Sequence, residues 1–241
     1  MGNDFILQQF QQQLEVKEQA PSPIRRREPK PVWREYAEVI IISLLSAIFL
    51  RLFVVSAYRV DSGSMEDTLF EGDYIFVNKL AYKFSEPKAG DIAVFVSPLN
   101  PTKDYVKRII ALPGQTVEVI DKIIYVDDQL APIISEVKNS DPKILPGQLS
   151  LRDNFGPLQV PRDQYFVLGD NRDNSQDSRF WGFVPKESLE GRAIFVYWSW
   201  TPDKTAPKWE FPYIISAVRL PFYFLFNFPS HTRWDRLFTA L

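Results

Sequence analysis

Val39 to Ala57 reads VIIISLLSAIFLRLFVVSA, 19 residues carrying one charge, Arg51. At 1.5 Å per residue such a run approaches the ~20 residues a helix needs to cross a hydrocarbon core. Arg51 sits towards its C-terminal end, from where a long side chain reaches the headgroups. A cleaved secretory signal is the rival reading, but such signals carry only a short basic segment ahead of the apolar core. Here 38 largely polar residues precede it. A buried core helix is the other rival, and apolar residues on every side speak against it. The run is expected to be a transmembrane helix, within bounds 37–57.

The flanks set an orientation. Arg25, Arg26, Arg27, Lys30 and Arg34 precede the run, and only Arg59 lies directly after it. Cytoplasmic flanks hold the excess of lysine and arginine, whereas acidic neighbours such as Glu28, Glu35 and Glu38 count little. The N-terminus is therefore expected in the cytoplasm and everything from Tyr58 onward outside. Residues 1–36 read as a polar cytoplasmic tail. A short helix over the glutamines Gln8 to Gln13 would use Phe5, Leu7, Phe10 and Leu14 as apolar positions. The proline-bearing stretch Pro21 to Pro31, with Arg25-Arg26-Arg27, ends it as a linker or a basic membrane-surface patch.

Past the apolar run the periodicity shortens. Tyr74 to Val77, Asp91 to Val96, Tyr105 to Leu112, Thr116 to Ile120, Ile123 to Val126, Tyr165 to Leu168 and Ala193 to Trp198 are rich in β-branched and aromatic residues. Most are bounded by Gly, Pro, Asn or Asp, and Asp121-Lys122 reads as a hairpin turn. No helical period and no internal repeat recurs, so residues 58–200 are expected to form a mainly β domain of antiparallel strands. Phe211 to Phe228, FPYIISAVRLPFYFLFNF, stands apart. It is 18 residues long, yet Arg219 lies at its midpoint, and Pro212 and Pro221 are expected to interrupt any helix. Its rings suit the membrane–water interface. An interface-lying segment is the preferred reading, ahead of packing on the β domain or a second span.

The chain has no cysteine and one histidine, His231, ten residues from the C-terminus. Thiol proteases are excluded, and zinc sites built on paired histidines or cysteines nearly so. A net charge of −2 leaves no basic excess to neutralise phosphates, so nucleic acid is not an expected partner. If Ser64, in Asp61-Ser62-Gly63-Ser64-Met65, is a nucleophile, its base is then most simply a lysine. Gly63 would allow the close backbone approach that an oxyanion pocket needs. On its own a Ser-Gly-Ser turn is a weak signal.

Lys107 is the candidate base. In Asp104-Tyr105-Val106-Lys107-Arg108-Ile109-Ile110, period two puts Tyr105, Lys107 and Ile109 on one strand face. Desolvation there would lower the lysine pKa towards neutrality, and only the neutral amine accepts a hydroxyl proton. The bland alternative is a solvated lysine on an edge strand. Gly169 to Arg179, GDNRDNSQDSR, is a dense polar loop whose carboxylates and arginines suggest an ion-paired scaffold.

Three blocks in this order after an N-terminal span resemble the bacterial-type type I signal peptidases. The resemblance covers roughly Ser56 to Trp198. It is carried by SGSMEDTLFEGDYIFVNK at 62–79, GDIAVF at 90–95, DYVKRIIALPG at 104–114 and GDNRDNSQDSRFWGFVPKESLEGRA at 169–193. It implies a membrane-bound serine endopeptidase, single-pass in the cell membrane, that cuts signal peptides from exported preproteins after small residues at positions −3 and −1. No cofactor and no metal are implied, and the expected partners are preproteins and membrane lipid. Ser64 would be nucleophile and Lys107 general base. Ser62, with the Ser64 N–H, would form the oxyanion hole, and Ser175 would orient the lysine. Asp170, Arg108, Asp177 and Arg179 match supporting ion pairs. Tyr58, Val60, Met65, Leu69, Ile75, Val94, Tyr105 and Val106 fall where the family lines its substrate pockets.

Asp61 and Asp67 stand where the family commonly has proline. Thr201 to Ser230 looks like an insertion before a family-like ending, Arg233-Trp234-Asp235-Arg236-Leu237, within residues 231–241. A self-cleaving repressor of the LexA type shares the Ser/Lys chemistry but would be soluble and carry a DNA-binding domain. A β-domain adaptor with a decayed site would not keep Ser64, Lys107 and Ser175.

Overall fold

The computed structural model describes residues 9–13, 32–131, 137–203, 205–207 and 213–241. Phe5, Leu7, Gln8, Leu14, the stretch Pro21 to Pro31, Phe211 and Pro212 lie outside them; residues 9–13 are helical. The chain divides into two compact units, up to Ser46 and from Ala47 onward.

Val32–Phe53 is a continuous helix of 22 residues with a mean hydropathy of 2.0, the one helix among the described residues long and apolar enough to cross a membrane. It begins ahead of the expected bound and stops short of it. Val55, Ser56 and Ala57 belong instead to the strand β1 (Val55–Arg59). The reason lies across the chain. Lys79 donates its Nζ to the Leu52 carbonyl at 3.1 Å and its backbone N–H to Val54 O at 3.0 Å, which closes the helix end and starts the ladder. Hydropathy alone does not register this switch, because Val54 and Val55 are as apolar in a strand as in a helix.

From Ala47 onward the molecule is antiparallel β. β2 (Asp73–Asn78), β3 (Ile92–Val96), β4 (Asp104–Ala111), β5 (Thr116–Ile120), β6 (Ile123–Val126), β9 (Gln164–Leu168) and β11 (Leu189–Ser199) match the expected strands. Sequence reading missed β7 (Gln129–Leu130), β8 (Phe155–Gln159), β10 (Val184–Pro185) and β12 (Thr239–Ala240). Three of them have two residues each, and β8 carries Gly156 and Pro157, which read as a break rather than a strand. The larger sheet runs β1-β2-β11-β3-β4-β9-β10, with β12 on β11, and the smaller runs β7-β6-β5-β8. Asp121 and Lys122 have φ of 51° and 71°, as a tight hairpin turn requires.

Strand alternation builds the core. On one face, Ile75, Val77, Val94 and Val196 pack with Val60, Met65 and Leu69. The opposite face gathers Ala93, Phe95, Ile109, Tyr165 and Val167. A third cluster, with Val117, Val119, Phe166 and Leu168, joins the smaller sheet to β9.

Thr201 to Ser230 is an excursion closed at its base. Thr201 N–H donates to His231 O at 2.8 Å, and Trp200 bridges Thr232. Within it Tyr213–His231 is one helix that passes through Pro221, where an interruption was expected. Proline there removes one hydrogen bond from the ladder. The helix is held by packing instead: Phe224 lies on Trp200 with ring centroids 5.4 Å apart, and Phe228 on Trp198 at 5.0 Å.

Candidate active site

Ser64 sits in a 3-10 turn, Gly63–Met65, that follows β1 through a short extended link. Met65 and Leu69 anchor this turn in the core, both fully buried, while Ser64 keeps 8% of its surface. Lys107 comes from β4, opposite Ala93 in the ladder with β3, and is also buried. The two meet: Lys107 Nζ lies 2.6 Å from Ser64 Oγ and donates to Val106 O at 3.0 Å. Burial strips water from the amine and lowers its pKa from 10.5 to about 8, against the upward pull of Asp177 and Asp170.

Two buried ion pairs frame this contact. Arg108 donates to Asp170 from Nη2 at 2.7 Å and from Nε at 2.9 Å. Thr68 Oγ1 donates to the same carboxylate at 2.6 Å. Arg179 clasps Asp177 with two bonds of 2.8 Å and reaches on to the Arg172 carbonyl at 2.7 Å. Asp177 also accepts the Gly169 N–H at 3.1 Å, which fixes the loop under Ser64. These four charged residues were assigned a supporting role from sequence; Thr68, Gly169 and Asn171 were given none. Asn171 donates its N–H to Ser64 O at 3.1 Å and its Nδ2 to Gly63 O at 3.0 Å. The signal was present in a strand followed directly by Gly-Asp-Asn, but composition does not tell a scaffold asparagine from a turn asparagine.

Other assignments fare differently. Ser62 Oγ is 3.2 Å from Ser64 Oγ, at the lip of the site. Ser175 Oγ is buried and has no hydrogen-bond partner among the described residues, so the contact to the lysine amine implied by the resemblance is not made in this state. Gly63 is not the tight position: an added Cβ there meets only ordinary contacts, at 3.9 Å. Asp67 has φ of 82°, which a proline ring cannot adopt, so its turn differs in backbone from one built on proline. Asp61 is exposed and pairs with Arg59 at 3.1 Å.

A cavity of about 640 Å³ opens over Ser64. Of the eight expected pocket residues, Tyr58, Val60, Tyr105 and Val106 line it. Met65, Leu69, Ile75 and Val94 lie instead in the core cluster beneath. Their side chains alternate with wall positions, and strand period alone does not separate a pocket floor from the packing under it. Arg59, Asp61, Lys103, Asp104, Asn174 and Gln176 add a polar rim. The long walls are two extended segments. β1 pairs only with β2, and β4 pairs with β9 only from Arg108 onward, so each wall presents an edge without a strand beside it among the described residues.

The family described as signal peptidase, peptidase S26, matches residues 33–198. A signal peptidase I of Aquifex aeolicus is 34% identical over 80% of this chain and 94% of its own length. Signal peptidase I T of Bacillus subtilis is 37% identical over 68% of this chain and 84% of its own. A signal peptidase I of Pseudomonas aeruginosa is 30% identical over 79% and 81%.

Proposed function

The chain belongs to the signal peptidase family, peptidase S26, serine endopeptidases that remove signal peptides from preproteins, and we propose that it does so from a membrane anchor with Ser64 as nucleophile and Lys107 as general base. The observation that carries this reading is the 2.6 Å approach of a buried, partly neutral amine to the serine hydroxyl. At pH 7 an amine with a pKa of about 8 is neutral in about a tenth of molecules. That fraction takes the Ser64 proton as Oγ attacks the scissile carbonyl. Ser62 Oγ, beside Ser64, supplies a hydroxyl donor for the oxyanion, together with backbone N–H groups of the turn. The protonated lysine then returns its proton to the leaving amine. Water hydrolyses the ester in the reverse sense.

The substrate is an extended peptide laid between the open edges of β1 and β4. In that conformation residues two apart face the same wall, so the positions one and three before the cut both meet Tyr58, Val60 and Val106. Side chains already filling the floor leave room for small residues there. Val32–Phe53 provides the anchor, N-terminus in the cytoplasm. Only β1 and a short turn separate Phe53 from Ser64, a reach of at most ~40 Å, so the cut is made near the bilayer surface.

Detergent-solubilised protein incubated with a preprotein tests the reading. Ser64→Ala, Lys107→Ala and Lys107→Arg are each expected to abolish cleavage in folded protein, since a guanidinium stays charged. Cleavage retained by Lys107→Arg removes the lysine from the role of base.

A further inference from the structure

The helix Tyr213–His231 lies outside the matched family region of 33–198, and its second half carries aromatic residues on both sides. Its inner seam is accounted for. Tyr223 donates its hydroxyl to Asp203, Phe224 and Phe228 rest on Trp200 and Trp198, and Asn227 and His231 continue the same side. Phe222, Leu225 and Phe226 occupy the other side and are 56%, 69% and 75% exposed. Phe222 and Phe226 stack on each other one turn apart, at 6.3 Å, and on nothing else described. Folding of the β domain does not require these three residues to be apolar, and water penalises them.

The surroundings say what covers them. On β2 and β11, the face opposite Ile75, Val77 and Val196 carries Tyr74, Phe76, Phe195 and Tyr197, with Phe76 and Tyr197 stacked at 4.3 Å. Phe238, 75% exposed, extends this face from Phe195, and Trp234, 53% exposed, meets Phe228 and Trp198. The aromatic surface therefore continues from the helix across the sheet. At its far end lies the exit of the apolar helix Val32–Phe53: Lys79, just past β2, holds Leu52 O, and β1 pairs with β2 from Val55 opposite Asn78. A surface rich in Trp, Tyr and Phe that starts where a span ends has the composition of a membrane–water interface.

We propose that the helix Tyr213–His231 is a second membrane contact, lying in the bilayer interface with Phe222, Leu225 and Phe226 in lipid. It does not span. Arg219, Asn227 and two internal prolines make it costly as a span and cheap at headgroup depth. Together with the anchor it fixes the catalytic face at two places against the surface from which the substrate emerges. The inference rests on the anchored-peptidase reading, and cleavage of a short soluble peptide tests that reading separately.

The chain has no cysteine, so one introduced thiol is the only one. Full-length protein carrying Leu225→Cys or, as control, Leu149→Cys in an exposed turn away from this face, is labelled with an environment-sensitive fluorophore. Each is reconstituted into vesicles of phosphatidylethanolamine and phosphatidylglycerol. The label at 225 is expected to shift to the blue and to be quenched by lipid carrying a spin label high on its acyl chain, and that at 149 to do neither. Equal emission and equal quenching at the two sites overturn the proposal. A blue shift without lipid quenching overturns it too, because it means a protein surface covers the face. As a second readout, Phe222→Asp with Leu225→Asp and Phe226→Asp is expected to keep soluble-peptide cleavage. Cleavage of a vesicle-borne preprotein should fall at least about tenfold, ~1.4 kcal/mol. Equal loss on both substrates means the face serves folding, and overturns it.

Discussion

No carbon fits between Gly169 and the Ser64 carbonyl: a Cβ built on Gly169 overlaps that oxygen and Ser175 Oγ. The constraint is steric, since the strand β9 runs straight into the turn that supports the nucleophile. Gly169→Ala is expected to displace Ser64 from Lys107 and to cost about 1–3 kcal/mol of stability through overpacking. Activity should fall by more than that, because a hydroxyl moved by an ångström loses its base. Unfolding by denaturant and peptide cleavage on the same sample check this; a fully active, equally stable variant would remove Gly169 from the site's architecture.

Lys107 sets the pH dependence. Its pKa is lowered to about 8 by burial, so kcat/KM is expected to rise with pH along a limb near 8. Stability follows the same group in a definite sense. Below about 8 the folded protein buries a charge that the unfolded chain would solvate, and this penalty is present in full. It is relieved as pH rises from about 8 towards 10.5. Lys107→Met, which cannot charge, should flatten that rise in stability while abolishing cleavage. A rate limb at the pKa of a free lysine would contradict a buried base.

Ser175 tests the link between a lysine-orienting role and the unpartnered hydroxyl found here. A buried hydroxyl without a partner costs about 1–3 kcal/mol, so Ser175→Ala is expected to hold or raise the melting temperature. If the hydroxyl engages the amine once substrate is bound, kcat should fall at the same time with little change in KM. An unchanged kcat would assign Ser175 to loop packing alone.

Much of this fold was legible because strand period is a local property. β3, β5 and β6 fall where β-branched residues alternate between punctuating Gly, Pro and Asp, and Ser64 and Lys107 fall inside long motifs. What was not legible depends on partners distant in sequence. Lys79 ends a helix at Phe53 that hydropathy carries on to Ala57. Trp198 and Trp200 hold a helix through Pro221 that local propensity breaks. Gly63 and Gly169 are alike in sequence; only the fold puts a carbonyl against the second. Met65, Leu69, Ile75 and Val94 are apolar in the right places for a pocket, and the fold spends them on the core beneath it.

Arg236 ties the C-terminus to the turn after the nucleophile. Its Nη2 donates to Asp73 Oδ2 at 2.7 Å and to the Thr68 carbonyl at 2.8 Å, and its guanidinium lies 4.5 Å over the Phe70 ring. Asp73 is fully buried and also accepts from Ser199 Oγ at 2.6 Å and Phe70 N at 2.9 Å. Thr68 is thus held from two sides, by Arg236 at its carbonyl and by Asp170 at its hydroxyl. Arg236→Ala strips the buried carboxylate of its closest cation, leaving Arg233 at 3.5 Å, and is expected to cost about 3–5 kcal/mol. Arg236→Lys keeps the charge but gives up the paired geometry and the stacking, so it should recover only part of the loss. Asp73→Asn with Arg236→Ala should cost less than the two changes added, because neither then strands the other as a buried charge. Denaturant titration of the four proteins measures the coupling. Strict additivity would show that the C-terminal segment merely lies beside the catalytic turn.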